Sequence, residues 1–153
     1  MNLFMQEAVK QSLIAQKNDD VPVGAVIVCN NKTIAKAHNK KEKSNDATNH
    51  AEILAISKAC KKRNSWHLDD CELYCTMEPC MMCCGAIIQS RIKKVYYLVK
   101  NEKFGCTELL KNSKIEVIEM EDIFDMKYIL NNFFKNKRWD DQCFTWNIDR
   151  WWR

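Results

Sequence analysis

Three cysteines, Cys80, Cys83 and Cys84, lie within five residues in the segment "TMEPCMMCCGAI". They could belong to a disulfide framework, fill the core as small apolar residues, or bind a metal. Disulfides persist mainly in oxidising compartments, and the N-terminal segment has Glu7 inside its apolar portion, unlike a secretory signal. No apolar run is long enough to span a bilayer. We therefore expect a cytoplasmic protein, in which clustered cysteines are more often metal ligands or catalytic thiols.

The spacing of Cys80 and Cys83 favours the metal reading. A C-x-x-C pair in the first turn of a helix directs both sulfurs at one ion. His50 opens another predicted helix, and Glu52 follows two residues later. Two helix N-termini favour negative charge at the point where they meet. Three protein ligands leave a fourth position open for water, as in catalytic zinc sites, and a free carboxylate can move protons beside it. We therefore expect one Zn²⁺ per chain.

The other cysteines show no second paired spacing. Cys84 is one residue off the ligand spacing and precedes Gly85, so we interpret it as a small buried residue. The remaining cysteines are interpreted as core or surface thiols: Cys29, Cys60, Cys71, Cys75, Cys106 and Cys143. The sequence gives no reason to pair any of them in a disulfide.

Length and composition indicate one globular domain. The chain has 153 residues, of which 46% are hydrophobic and 29% charged, which suffices for one buried core. The formal net charge of +4 is mild and by itself indicates solubility rather than a polyanionic partner. We place a single domain at residues 1–138. Residues 139–153 form an extension with four of the five tryptophans, and its role stays open.

Helical and strand patterns alternate along the chain. The first helix places on one face Phe4, Met5, Ala8, Val9 and Leu13. Two strands follow in "VPVGAVIVCNNKTIAKAHN", joined by a turn at Asn30 and Asn31. Helices are predicted in "HAEILAISKACKK" and "PCMMCCGAIIQS", the second with Pro79 at its first helical position.

Three further strands and one helix complete the pattern. The strands are "CELYCT", "KKVYYLV" and "IEVIEM". The last helix has a predicted buried stripe of Ile123, Met126, Leu130 and Phe133. Strands that alternate with helices predict an α/β domain, with a partly parallel sheet and helices on both faces.

The combined motif resembles a known family. "HAE" with "PCMMC" is similar to the H-x-E…P-C-x-x-C signature of zinc nucleobase deaminases. Within that superfamily, "VPVGAVIV", "AHN", "LYCTMEPCMMCCGAIIQSRIKKVYY" and "FFKNKR" resemble tRNA adenosine deaminases, which convert the wobble adenosine of the anticodon to inosine. The resemblance implies a cytidine-deaminase-like three-layer α/β/α fold with a mixed five-stranded sheet, a homodimer, and a tRNA anticodon stem-loop as substrate.

The resemblance also implies individual roles. It assigns zinc binding to His50, Cys80 and Cys83, and proton transfer to Glu52. The substrate-binding residues that it implies are Asn39, which would hydrogen-bond the flipped base, Val23 and Met77, which would line the base pocket, and Asn101, near the sugar. Asparagine also closes hairpins and methionine also packs in cores, so both alternatives stay open for Asn39 and Met77.

RNA binding is a separate prediction. Aromatic side chains beside basic ones offer stacking surfaces next to phosphate-binding charge. At the end of the last helix these residues are Phe133, Phe134, Lys135, Lys137 and Arg138. Lys40, Lys41 and Lys43 follow Asn39 near the expected pocket mouth. The alternative for such a lysine run is an ordinary solvated surface.

Three positions depart from the family pattern, and two rival functions remain. Ala47 and Asn49 stand where the family usually has proline and alanine, and Asn101 stands where aspartate is common. An amide accepts a hydrogen bond more weakly than a carboxylate, so the sugar hydroxyl should matter less here.

The nearest rival is a free nucleobase deaminase acting on guanine or cytosine. A catalytically silent zinc-bearing subunit is the other, and Glu52 argues against it.

Overall fold

The computed structural model describes residues 2–136, which form five strands and six helices. The strands are β1 (Gly24–Cys29), β2 (Lys32–His38), β3 (Cys71–Met77), β4 (Lys94–Val99) and β5 (Glu116–Glu119). The helices are α1 (Leu3–Lys17), α2 (Lys41–Ser44), α3 (Ala51–Arg63), α4 (Met81–Gln89), α5 (Thr107–Asn112) and α6 (Met126–Asn136). Within this described part of the chain, every helix is too short or too polar to cross a membrane.

The sheet has the order β2-β1-β3-β4-β5. Strand β1 runs antiparallel to both β2 and β3, whereas β3, β4 and β5 are parallel. Asn30 and Asn31 join β1 to β2 with φ angles of 50° and 59°, the left-handed conformation that a tight hairpin turn requires at both positions. The predicted mixed five-stranded sheet is confirmed. Its topology brings the start of β1 and the ends of β3 and β4 to one edge.

Helices cover both faces of the sheet. One core contains residues of α3, α4 and α5 packed on the sheet, and the other contains residues of α1 and the start of α6. Helix α1 lies directly against β1 at Gly24, where a Cβ atom would collide with the backbone of Ala8 and Ser12. Only glycine permits this approach. The three-layer α/β/α arrangement is therefore as predicted.

Several local predictions were wrong. Leu13 is 37% exposed, because the buried face of α1 continues through Gln11, Ser12 and Ala15 instead. Ile123 is 55% exposed and precedes α6. Pro79 is not the first residue of α4, because Cys80 is the N-cap and the helix begins at Met81.

The short helices α2 and α5 were not predicted, since four and six residues are too few to show an apolar period. Asp20, which precedes β1 in sequence, stabilises the first turn of α2. Its fully buried carboxylate accepts the backbone N–H groups of Glu42 and Lys43 at 2.8 and 3.1 Å. This contact fixes the chain just after Asn39.

Cys29 and Cys71 form a disulfide, so the prediction that both are unpaired thiols was wrong. The antiparallel register of β1 and β3 places the two residues directly opposite each other, with Cα atoms 4.4 Å apart. The 42 residues that separate them in sequence conceal this contact. Strand register decides the pairing, and register is not visible in cysteine spacing.

Reduction of this disulfide should lower thermal stability. For a separation of 42 residues, the chain-entropy relation gives about 4 kcal/mol, which corresponds to a fall in Tm of roughly 8–16 °C for a chain of this size. Thermal unfolding with and without reductant measures the effect. The Cys29→Ser/Cys71→Ser double variant should be insensitive to reductant, whereas Cys60→Ser should respond like wild type. Equal Tm values for the reduced and oxidised wild type would contradict this prediction.

Candidate metal and catalytic site

Two helix N-termini meet at the candidate site. His50 is the N-cap of α3, and its carbonyl oxygen accepts the N–H of Leu54 at 3.0 Å. Cys80 is the N-cap of α4, and its carbonyl accepts the N–H of Cys84 at 2.8 Å. Both caps have extended backbone conformations, which aim their side chains back toward the gap between the helices. The N-terminal ends of the helices favour thiolate charge there.

The three side chains fit a tetrahedral zinc ion. Nδ1 of His50 lies 3.6 Å from Sγ of Cys80 and 3.6 Å from Sγ of Cys83, and all three donor atoms lie within 4.8 Å of one another. Typical Zn–S and Zn–N bonds at tetrahedral angles separate the sulfur and nitrogen atoms by about 3.5 Å. Two sulfur donors and one imidazole are also ligands that zinc prefers.

The two cysteines can supply the negatively charged sulfur that a metal cation binds. A hydrogen bond with the Cys83 thiol, supplemented by His50, lowers the pKa of Cys80 to about 4. The same hydrogen bond and burial raise the pKa of Cys83. Cys80 is thus the sulfur that carries negative charge more readily, and zinc binding would require both sulfurs as thiolates.

Glu52 lies beside these ligands. Its carboxylate accepts from Sγ of Cys83 at 3.5 Å, and the residue is only 4% exposed. Burial raises its pKa, as is common for carboxyl groups that exchange protons during catalysis. A buried carboxyl group in the first turn of α3 is therefore available to move a proton.

Cys84 does not join the cluster of metal donors. Its side chain is buried, its Sγ donates to the Pro79 carbonyl at 3.6 Å, and burial raises its pKa to about 12. A second group of potential ligands, Cys29, Cys71 and Asp70, has both sulfurs in the disulfide and is no metal site. Among residues 2–136, His50, Cys80 and Cys83 are therefore the donor set that can hold zinc.

A cavity of about 790 Å³ opens from the metal site. Val23 and Met77 line it near His50 and Glu52. The cavity extends past Asn101 to α6, where Leu130 and Phe134 form part of its wall. Its volume lies within the usual range of ligand-binding pockets.

Asn39 lies at the cavity and is 6% exposed. Its Oδ1 accepts the N–H of Lys41 at 3.1 Å, and its Nδ2 donates to the Val21 carbonyl at 3.4 Å. The side chain thus shapes the turn after β2, as the structural alternative predicted. An amide group has a second N–H and a second lone pair, so it can also hydrogen-bond a substrate.

The predicted RNA-binding residues separate into different environments. Phe134 and Lys135 line the cavity, and so does Lys41. Phe133 is only 8% exposed, in agreement with the predicted buried stripe of α6, so the separate prediction that it stacks on RNA was wrong. Lys137 and Arg138 lie outside the described residues. Asn101 lines the cavity, but its Oδ1 accepts the N–H of Phe104 at 3.1 Å.

Sequence reasoning missed Glu78, Lys127 and Asn131, which also line the cavity. Glu78 stands beside the cysteine motif and could have been found there. Lys127 and Asn131 lie one turn apart on α6, and their position follows only from the packing of that helix.

The fold and the His-Cys-Cys-Glu geometry define a deaminase of the cytidine-deaminase-like class. The MafB19-like deaminase family profile matches residues 2–138. The tRNA-specific adenosine deaminase of Bacillus subtilis (strain 168) is 44% identical over 110 residues, which cover 72% of this chain and 68% of the relative.

Two solved structures agree with this class. A tRNA:A34 deaminase, from work on A-to-I editing at the wobble position of transfer RNA, matches with a TM-score of 0.68 and 40% identity, covering 69% of this chain and 82% of its own. Guanine deaminase from Bacillus subtilis matches with a TM-score of 0.62 and 38% identity, and the match covers 76% of this chain and 72% of the guanine deaminase chain. The chain belongs to the MafB19-like deaminases and, with its relatives, to the family of tRNA-specific adenosine deaminases.

Proposed function

We propose that this enzyme is a zinc-dependent hydrolase that converts adenosine to inosine at the wobble position of a tRNA anticodon, with release of ammonia. The observation that carries the proposal is the buried Glu52 carboxylate 3.5 Å from a ligand sulfur of the His50, Cys80 and Cys83 set. The names of the most similar relatives, tRNA-specific adenosine deaminases, support the substrate. Water is the second reactant, so the reaction needs no oxidant or reductant.

Zinc held by His50, Cys80 and Cys83 would supply a Lewis acid that lowers the pKa of a water molecule. Glu52 would take one proton from the attacking water and place it on N1 of the purine ring while the water oxygen bonds to C6. Glu52 would then take the proton of the new C6 hydroxyl and give it to the amino group, whose bond to C6 breaks as ammonia leaves. Burial suits Glu52 to both directions of transfer, because a raised pKa brings the carboxyl group closer to the operating pH.

The cavity wall orients the base. Val23 and Met77 offer apolar contacts to the faces of the purine, and Asn39 has one N–H and one lone pair left for its polar edge. Asn101, which also lines the cavity, is proposed to contact the sugar. A stacked base cannot enter such a recess, so the adenosine must be unpaired or flipped out, as an anticodon loop permits at low cost.

A direct assay tests this function. The purified protein should form inosine in an anticodon stem-loop that contains adenosine at the wobble position, and a stem-loop with guanosine there is the matched control. Free guanine and cytosine, with ammonia release as readout, test the free-base alternative. Turnover of free guanine without inosine formation would assign the chain to the alternative substrate class.

We also propose a homodimer and a cytoplasmic location, where tRNA substrates are found and where a reducing environment would favour the thiol forms of Cys29 and Cys71. Helix α4 supports the dimer. Met81 is 65% exposed, and Ala86 and Ile88 on the same helix are only half-buried. Such an apolar surface suits contact with a second copy of the chain.

The RNA path is proposed to follow α6 from the cavity. Phe134 offers a stacking face, and Lys127 and Lys135 border the same cavity. Replacing both lysines with alanine should weaken stem-loop binding and flatten its salt dependence. The slope of log K against log salt should fall by about 0.7–0.9 per lost phosphate contact.

The control is a Lys61→Ala/Lys62→Ala variant, which removes the same charge from the exposed C-terminal turn of α3, far from the cavity. It should keep the wild-type slope. Titrations at several salt concentrations measure all three proteins. Identical slopes for wild type and the α6 variant would place the RNA on another surface.

A further inference from the structure

Glu78 joins the metal-binding segment to a loop of the cavity wall. It directly precedes Pro79 and Cys80, and both of its carboxylate oxygens accept hydrogen bonds from beyond β4. The backbone N–H of Asn101 donates to Oε1 at 3.2 Å. The hydroxyl of Thr107 donates to Oε2 at 2.6 Å. The carboxylate therefore binds the first residue of the segment 101–106, which we call the 101–106 loop, and the residue that directly follows it.

The loop encloses this carboxylate closely. The N–H of Gly105 donates to the Asn101 carbonyl at 2.9 Å, and Gly105 pairs with Cys80 in an isolated β-bridge. A Cβ atom at Gly105 would lie 2.5 Å from both the Asn101 carbonyl oxygen and Oε1 of Glu78. Glycine is thus the residue that allows the backbone to approach the carboxylate.

The same loop forms part of the cavity wall, through Asn101, Glu102, Lys103 and Phe104. It has no regular secondary structure between β4 and α5. Hydrogen bonds to a charged acceptor are stronger than neutral ones, so the Glu78 carboxylate is a strong anchor for an irregular segment. Both oxygens of Glu78 accept hydrogen bonds, one from the loop backbone and one from Thr107. Glu78 therefore has a structural role, whereas the proposed role of Glu52 is proton transfer.

We infer that Glu78 is a positioning residue that sets the 101–106 loop at the distance from the metal site at which the loop contacts the substrate nucleotide. The inference rests on the proposed function for the identity of that nucleotide. The contact between Glu78 and the loop is independent of substrate and can be measured without it. A loop displaced from the cavity should impair substrate binding more than the chemical step, because Glu52 and the metal ligands lie on other elements.

The test compares Glu78→Ala with Glu78→Gln, Thr107→Val and a control. Amide hydrogen exchange of residues 101–107 should accelerate about 10- to 100-fold in Glu78→Ala, the loss expected for hydrogen bonds to a charged acceptor. KM for the stem-loop should rise about tenfold, since small displacements of positioning groups are costly. The value of kcat and the zinc content should stay near wild type.

The conservative variants should give graded effects. Glu78→Gln keeps an oxygen for the Asn101 N–H and should restore most of the protection. Thr107→Val removes one donor and should accelerate exchange mainly near residue 107. The control is Glu108→Gln. Glu108 follows Thr107 in sequence, and its side chain is 81% exposed. Its replacement removes one negative charge, as the Glu78 variants do, and should match wild type in every readout.

Unchanged exchange in Glu78→Ala would overturn the inference, as would faster exchange with an unchanged KM. Loss of zinc with normal exchange would reassign Glu78 to support of Cys80 and would also overturn it. If Glu78→Ala does not fold, Glu78→Gln and Thr107→Val decide by the same criteria. A wild-type enzyme without deaminase activity on the stem-loop would refute the proposed function, whereas the exchange data would still test the role of Glu78.

Discussion

Cys80→Ser should lose zinc and much of the stability of the protein together. Sγ of Cys80 lies 3.6 Å from the His50 nitrogen in the candidate metal site, and a serine hydroxyl stays protonated at neutral pH and is a poor zinc ligand. If affinity falls by at least ~10²-fold, the stabilisation from bound metal falls by about 2.7 kcal/mol at saturating zinc. That change lowers Tm by roughly 5–11 °C for a chain of this size.

Cys84→Ser is the matched control. Cys84 is adjacent to Cys83 in sequence, but its Sγ donates to the Pro79 carbonyl and does not join the donor cluster. It should keep one zinc per chain. Metal analysis and thermal unfolding with and without a chelator measure both variants. Full zinc in Cys80→Ser together with loss of zinc in Cys84→Ser would reverse the ligand assignment.

The fold was predictable because its signals are local. The apolar runs of β1 and β3, the Asn30-Asn31 turn and the polar starts of the helices each specify an element within a few residues. The donor set was predictable for the same reason, since the C-x-x-C spacing and the first turn of a helix fix Cys80 and Cys83 relative to each other. His50 joins them across 30 residues of sequence, and its placement in the cluster came from the family resemblance.

The contacts that were missed depend on register and loop paths. The Cys29–Cys71 disulfide follows from the pairing of β1 with β3, which alternation of side chains does not determine. Phe133 was expected both in the buried stripe of α6 and in stacking on RNA, and its 8% exposure agrees with the stripe, because each residue rotates a helical side chain by about 100°. The Glu78 contacts depend on how the 101–106 loop returns to β3, and no local pattern encodes that return.

Glu52→Ala should keep zinc and the fold but lose most activity. The Glu52 carboxyl group is proposed to move a proton and does not belong to the three-residue donor cluster, so its removal should leave the ligands in place. General acid–base catalysis typically contributes about 10²–10⁴-fold, and kcat should fall by a factor in that range. Initial rates of inosine formation, with zinc analysis on the same preparations, measure the effect.

Glu52→Gln separates proton transfer from packing. The amide has nearly the same shape and would stay beside Sγ of Cys83, which lies 3.5 Å from the Glu52 carboxylate, but it cannot exchange a proton. If proton transfer is the role of Glu52, Gln should be as inactive as Ala. Its Tm should be no lower than that of wild type, because a neutral amide costs less to bury than a carboxylate. A Glu52→Gln enzyme with wild-type kcat would show that the carboxyl group serves only to fill space, and the proton would then have to move through another group at the cavity.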